Sequence, residues 1–237
     1  MNFKKILLGV IVIIILYLVY VFVFSDSTTQ LLYGGGNAKN AVTVKATKFP
    51  SNKASVDYTF SIWIYVNSWN YRYGSSKVIY QRSDSNNTIF APKVSLGQST
   101  NKLEISMTSY PDSGKTNTPI PNDWEINNIP IQKWCNIIVS TNNRAVDTYI
   151  DGKLVNTNVL KGVPMTNKSY SAFLCPDGGF AGEISKFKYY ARTISPREAY
   201  EIYREGPGGN WLSDLLNQYK LKLSFLKDNE EINSFEI

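Results

Sequence analysis

The chain opens on an unbroken apolar run. Residues 6–24, ILLGVIVIIILYLVYVFVF, carry no charged side chain. A helix of that length, rising 1.5 Å per residue, spans about 28 Å, close to the hydrocarbon thickness of a bilayer. The pattern predicts a transmembrane helix, with Ile6, Leu7, Val10, Ile13, Leu16, Tyr17, Tyr20 and Phe24 as its anchoring side chains. A cleaved signal peptide has a shorter apolar stretch and a small-x-small site, for which residues 25–27 offer a weak match. Lys4 and Lys5 precede the run and Asp26 follows it. The positive-inside bias therefore leaves residues 1–5 in the cytosol and carries the rest across, a single-pass N-in, C-out protein.

Residues 25–40 then read as a linker, because Ser, Thr and Asn crowd around Gly34, Gly35 and Gly36. From residue 41 the pattern changes to short runs of Val, Ile, Tyr, Phe and Thr, broken every 8 to 15 residues by turn formers. Strands are expected at 41–45, 58–66, 77–82, 93–96, 102–108, 134–141, 146–150, 153–157, 170–174 and 184–190. Within 58–66 every second residue is apolar or aromatic, and Trp63 and Tyr65 load the opposite side, so this strand should be internal. Asp151-Gly152 between two such runs is the turn of a tight hairpin. Ser195-Pro196 opens a helix, with Glu198 placed to complete a capping box, and Gly206 to Gly209 stop it. A jelly-roll domain over 41–206 and a tail over 207–237, a short helix then a hairpin, complete the plan. The expected class is all-β, a two-sheet antiparallel sandwich behind one membrane helix.

Composition narrows the function. Of 237 residues, 43% are hydrophobic and 14% aromatic, enough to build a core without staples, and there is no histidine. That absence removes imidazole bases, Ser-His and Cys-His pairs, and His-ligated metals. The net charge of +6 includes Lys4 and Lys5, and the other lysines are scattered among acids, so nucleic acid is not an expected partner.

Three segments, in order, resemble the concanavalin A-like lectin/glucanase superfamily in its laminin-G-like jelly-roll form. They are TFSIWIYV at 59–66 with its central Trp63, IQKWCNIIVSTNNRAVDTYIDGKLVNT at 131–157, and FAGEISKFKYYARTISPREAYEIY at 180–203. In the second, Trp134, Ile137, Val139, Tyr149, Asp151, Gly152 and Lys153 match the family's Trp, strand and Tyr-x-Asp-Gly-Lys run; Cys135-Asn136 departs from a position where His is common. In the third, Gly182 begins the closing strand. An anchored domain of this kind also resembles minor capsid or membrane proteins of large DNA viruses. That resemblance implies a structural role at the interface of a virion's inner membrane and its capsid, with neighbouring shell proteins and the lipid bilayer as partners.

The resemblance also suggests chemistry to look for. Glucanases of the superfamily use closely spaced carboxylates, about 5 to 5.5 Å apart in the retaining mechanism; here Glu104 and Glu183 stand alone, so no enzyme is expected. Some laminin-G-like domains bind calcium, for which Asp177 and Asp147 are the candidate ligands. A glycan or partner contact would use Trp69, Tyr71, Arg72 and Tyr73, or Trp124 in the proline-rich loop expected over 119–130, although packing explains these rings equally well. Cys135 and Cys175 read as buried thiols or, in an oxidising lumen, as a disulfide.

Overall fold

The computed structural model describes residues 12, 13, 15–17, 28–50, 56–111, 118–208, 222–227 and 230–236. Of the apolar run, Val12, Ile13, Ile15, Leu16 and Tyr17 are helical and exposed, and the rest of 6–24 lies outside the described residues. Among the described residues no helix is long and apolar enough to cross a membrane.

Two six-stranded antiparallel sheets make the sandwich. The first orders β1 (Thr29–Asn37), β12 (Ala181–Tyr190), β3 (Tyr58–Ser68), β8 (Trp134–Asn142), β9 (Ala145–Ile150) and β10 (Lys153–Val159). The second orders β2 (Val42–Val44), β11 (Ser171–Leu174), β4 (Lys77–Ser83), β5 (Phe90–Leu96), β6 (Lys102–Ser109) and β7 (Ile120–Asn127). Helix α1 (Pro196–Arg204) follows β12. The tail hairpin forms between β13 (Lys222–Lys227) and β14 (Glu230–Glu236), while the helix expected near 211–219 lies outside the described residues.

The alternation in β3 is realised as read. Tyr58, Phe60, Ile62, Ile64 and Val66 enter the inter-sheet core, where Phe60 meets Tyr80, Phe187 and Tyr189 at ring separations of 5.0 to 5.6 Å. On the opposite face Trp63 stacks on Tyr203 of α1 at 5.6 Å. Beside it, Ile138, Tyr149, Tyr190, Ile194, Ala199 and Ile202 form a second small core beneath the helix. β3 is therefore covered on both sides, which is why its outward positions are not polar.

The Asp151-Gly152 turn has positive φ at both residues, 50° and 74°, as a type I′ turn requires. Ser195 caps α1 by accepting the Glu198 amide at 3.2 Å. The second half of the expected capping box is replaced: the Glu198 carboxylate takes two hydrogen bonds from the Arg192 guanidinium, at 2.9 and 2.6 Å, because a bidentate charged partner outcompetes a lone backbone N–H.

Two segments correct the sequence reading. The expected linker 25–40 contains β1, paired along β12 from Thr29↔Tyr190 to Asn37↔Glu183. Its glycines mark close approach and not freedom, since a Cβ at Gly35 would sit 2.9 Å from the Ile184 carbonyl oxygen. The proline-rich stretch is β7, paired over eight positions with β6. As the outer strand of its sheet it tolerates Pro121, whose missing N–H has no ladder partner to satisfy.

Candidate functional site

The ladder registers give the sandwich two distinct ends. Thr29, Tyr190 and Thr59 align at one, and Asn37, Glu183, Tyr65 and Ser68 toward the other. β3 has 11 residues, so these ends stand about 35 Å apart. The loop 69–76 lies at the end opposite Thr29, and it holds the aromatic stretch singled out in the sequence.

That loop is braced on two neighbours. Arg72, itself at φ 51°, donates from its guanidinium to the Gly179 carbonyl at 3.2 Å, and the Gly74 amide donates to the Gln98 carbonyl at 3.1 Å. The Tyr71 hydroxyl comes so close to Gly178 that a Cβ there would lie 3.2 Å from it. The Lys39 ammonium sits over the Tyr71 ring, 4.7 Å from its centroid. Tyr73 is 64% exposed.

Beneath the loop lies Lys77, 1% exposed. Its ammonium donates to the carbonyls of Ser75, Gly97 and Gln98 at 3.4, 3.4 and 3.1 Å, and lies 5.2 Å from the Trp69 ring centroid. Burial, and then the nearby Arg72 charge, hold the Lys77 pKa below the ordinary lysine range. Among the described residues Lys39, Arg72 and Lys77 form no ion pair. The end is thus a surface of exposed and half-buried tyrosines around cations balanced by carbonyl oxygens, suited to polyhydroxyl or acidic groups that accept hydrogen bonds and stack.

Of the other sequence candidates, Trp69 and Asp177 belong to this end, while Trp124 and Asp147 do not. Trp69 is half-buried against the core, so it supports the loop instead of offering a platform. Trp124 is mid-strand on β7, also packed against the core and away from the loop. Asp147 accepts the Thr157 hydroxyl at 2.6 Å across β9 and β10, while Asp177 is exposed in the 3-10 turn Pro176–Gly178 between β11 and β12. Asp177 directly precedes Gly178 and Gly179, which the Tyr71 hydroxyl and the Arg72 guanidinium approach, so it lies beside the aromatic loop and apart from Asp147 on β9. Among the described residues no cluster of three or more His, Cys, Asp or Glu could hold a metal ion.

Cys135 and Cys175 are free and buried. Cys135 is on β8 of one sheet and Cys175 follows β11 of the other. Both stand as separate thiols, the first of the two sequence readings, and the disulfide alternative is not formed in this structure. Burial pushes the Cys175 thiol up to about 12, and burial together with Asp151 raises Cys135 further.

Sequence reasoning missed Lys39 and Lys77, the first hidden in a supposed linker and the second indistinguishable from a strand-end lysine. An ammonium buried among carbonyls leaves no residue pattern to read.

The fold and these segments meet in a family match. Residues 21–199 match the model of the concanavalin A-like lectin/glucanases superfamily, in a laminin-G-type family, and the chain belongs to it. No curated protein matches the chain. Among solved structures, it is similar to the botulinum neurotoxin serotype D ligand binding domain in complex with N-acetylneuraminic acid: TM-score 0.54, 13% identity, 75% of this chain and 44% of that one. It is also similar to the botulinum neurotoxin DC binding domain in complex with SialylT, with TM-score 0.53, 17% identity, and 73% and 42% covered. The serotype G binding domain gives TM-score 0.50, 17% identity, and 69% and 40%. The chain spans less than half of those proteins' length, and at these identities the likeness is one of fold.

Proposed function

We propose that this is a non-enzymatic, membrane-anchored binding protein. The apolar run 6–24 holds it in the bilayer, and the loops at the far end of a lectin-like sandwich grip a partner. One observation carries this reading: the chain enters the sandwich at Thr28, at one end, while the cationic and aromatic cluster of Lys39, Tyr71, Arg72 and Tyr73 sits at the other. In this reading the partner is a neighbouring protein of an ordered shell, as the resemblance to virion membrane proteins implies, and the protein ties that shell to the membrane beneath. Cross-linking of intact particles or membranes, followed by peptide identification, tests it. Reproducible links from Lys39 to one other shell protein support the tether; isolated copies with no repeated partner contradict it.

A second reading, a sugar ligand, is favoured by the same tyrosines, by cations that form no ion pair among the described residues, and by the sugar complexes of two structural neighbours. Binding on a glycan array that is lost in both Tyr71→Ala and Arg72→Ala would support it.

A further inference from the structure

The residue at which the chain enters the sandwich is fixed, and the distance from it to the apolar run is short. The Thr28 carbonyl accepts the Ala191 amide at 2.8 Å, and the Thr28 hydroxyl accepts from the Arg192 guanidinium at 3.3 Å. Phe24, the last apolar residue, is four positions before Thr28. Fully extended, that stretch reaches about 14 Å. The headgroup layer itself occupies about 5 to 7 Å of it. An anchored chain therefore has its Thr28 end within roughly one screening length of the lipid headgroups, and no long tether lets it turn away.

The same end gathers positive charge. Lys45 and Lys48 follow β2, Arg144 is in the β8–β9 turn, Lys161 and Lys168 lie between β10 and β11, and Arg192 follows β12. The register places all of these loops together. Val44 pairs with Ala172 and Ser171 with Ser83, Tyr58 with Thr141, and Val159 with Ala145; the Lys161 amide reaches the Asn122 side chain near the start of β7 at 2.9 Å. Among the described residues of these loops the carboxylates are Asp57 and Asp84, with Glu198 already held by Arg192. Lys45, Lys48, Lys161 and Lys168 are exposed.

We propose that this basic end of the sandwich lies directly on an anionic bilayer surface, the lysines at Lys48, Lys161 and Lys168 meeting acidic headgroups. The inference rests on the anchor reading above and adds an orientation to it. The sandwich stands on its Thr28 end, with the Tyr71 loop directed away from the membrane. The attraction is electrostatic, so it depends on lipid charge and weakens with salt.

The full chain reconstituted in vesicles tests this, using amine acylation read by peptide mass spectrometry. In vesicles with about 30% phosphatidylserine, labelling of Lys48, Lys161 and Lys168 is expected to fall about threefold relative to phosphatidylcholine vesicles, and to recover in about 0.5 M salt. Lys39 and Lys133, at the far end, should label equally in both lipids. The double variant Lys161→Glu/Lys168→Glu, at exposed loop positions, should abolish the lipid-dependent protection of Lys48. Protein that floats with vesicles but labels identically in both lipids overturns the docking and leaves the anchor standing. Protein that floats with neither overturns the anchor, and the docking with it.

Discussion

Arg192 holds Thr28 and Glu198 at once, joining the point of chain entry to the first turn of α1. Its Nε donates to the Thr28 hydroxyl at 3.3 Å while its two terminal nitrogens take both Glu198 oxygens. One guanidinium thus fixes the edge strand, the closing strand and the outer helix in a single arrangement. Arg192→Ala should cost about 1 to 3 kcal/mol in urea unfolding. Arg192→Lys should recover less than half, because an ammonium cannot match a carboxylate with two parallel bonds. Full recovery by Lys would contradict the bidentate geometry.

Gly152 lies beneath α1. A Cβ there would come within 2.9 Å of the Tyr200 Cα and 3.0 Å of the Tyr203 Cβ, and its φ of 74° already disfavours a side chain. Gly152→Ala is expected to lower stability by about 2 kcal/mol or more, through backbone strain and displacement of the helix. Thermal unfolding with near-ultraviolet dichroism would show both, and an unchanged melting curve would refute the contact.

Trp63 and Tyr203 carry the helix's grip on the sheet. Trp63→Ala should cost about 3 to 5 kcal/mol, since a large buried ring is replaced by a void that α1 can close only in part. Hydrogen exchange should show residues 196–204 losing protection ahead of the sandwich core, whereas uniform loss would mean that α1 is not a separate layer.

The thiols predict an alkaline limit. Cys175 titrates near 9.0 when exposed and is pushed up to about 12 in the fold, so the unfolded chain loses its proton first. The contribution is fully present below about 9 and is lost as pH rises from there to about 12. Tyr80, raised well above its ordinary value by burial and by Tyr58, adds in the same direction at the upper end of that window. Ellman's reagent at pH 8 should find no reactive thiol in the native protein and two after denaturation. Rapid native labelling would place one of them at the surface.

Those parts of the fold whose cause is local were legible in the sequence. Alternation wrote β3, paired positive-φ residues wrote the 151–152 hairpin, and a capping serine wrote the start of α1. Parts set by another segment's approach were not. Gly34 to Gly36 read as freedom because the strand that crowds them, β12, lies about 150 residues away in sequence. Pro121 read as a loop because the sequence does not say which strand is outermost. The site divides likewise: Tyr71, Arg72 and Tyr73 stood out as a cluster of rings and charge, whereas the Lys39 contact and the carbonyl cage around Lys77 exist only after folding. Asp147 and Asp177 looked alike in the sequence and are separated by the topology.

The central claim is that one chain carries both the bilayer anchor and the sandwich. Its most direct test is intact-mass measurement of the protein that remains in membranes after alkaline carbonate extraction. The expected result is a membrane-retained species whose mass includes residues 6–24, with the apolar run still joined to the sandwich. Recovery of the protein in the soluble fraction, with a mass showing that it begins beyond Phe24, would contradict it.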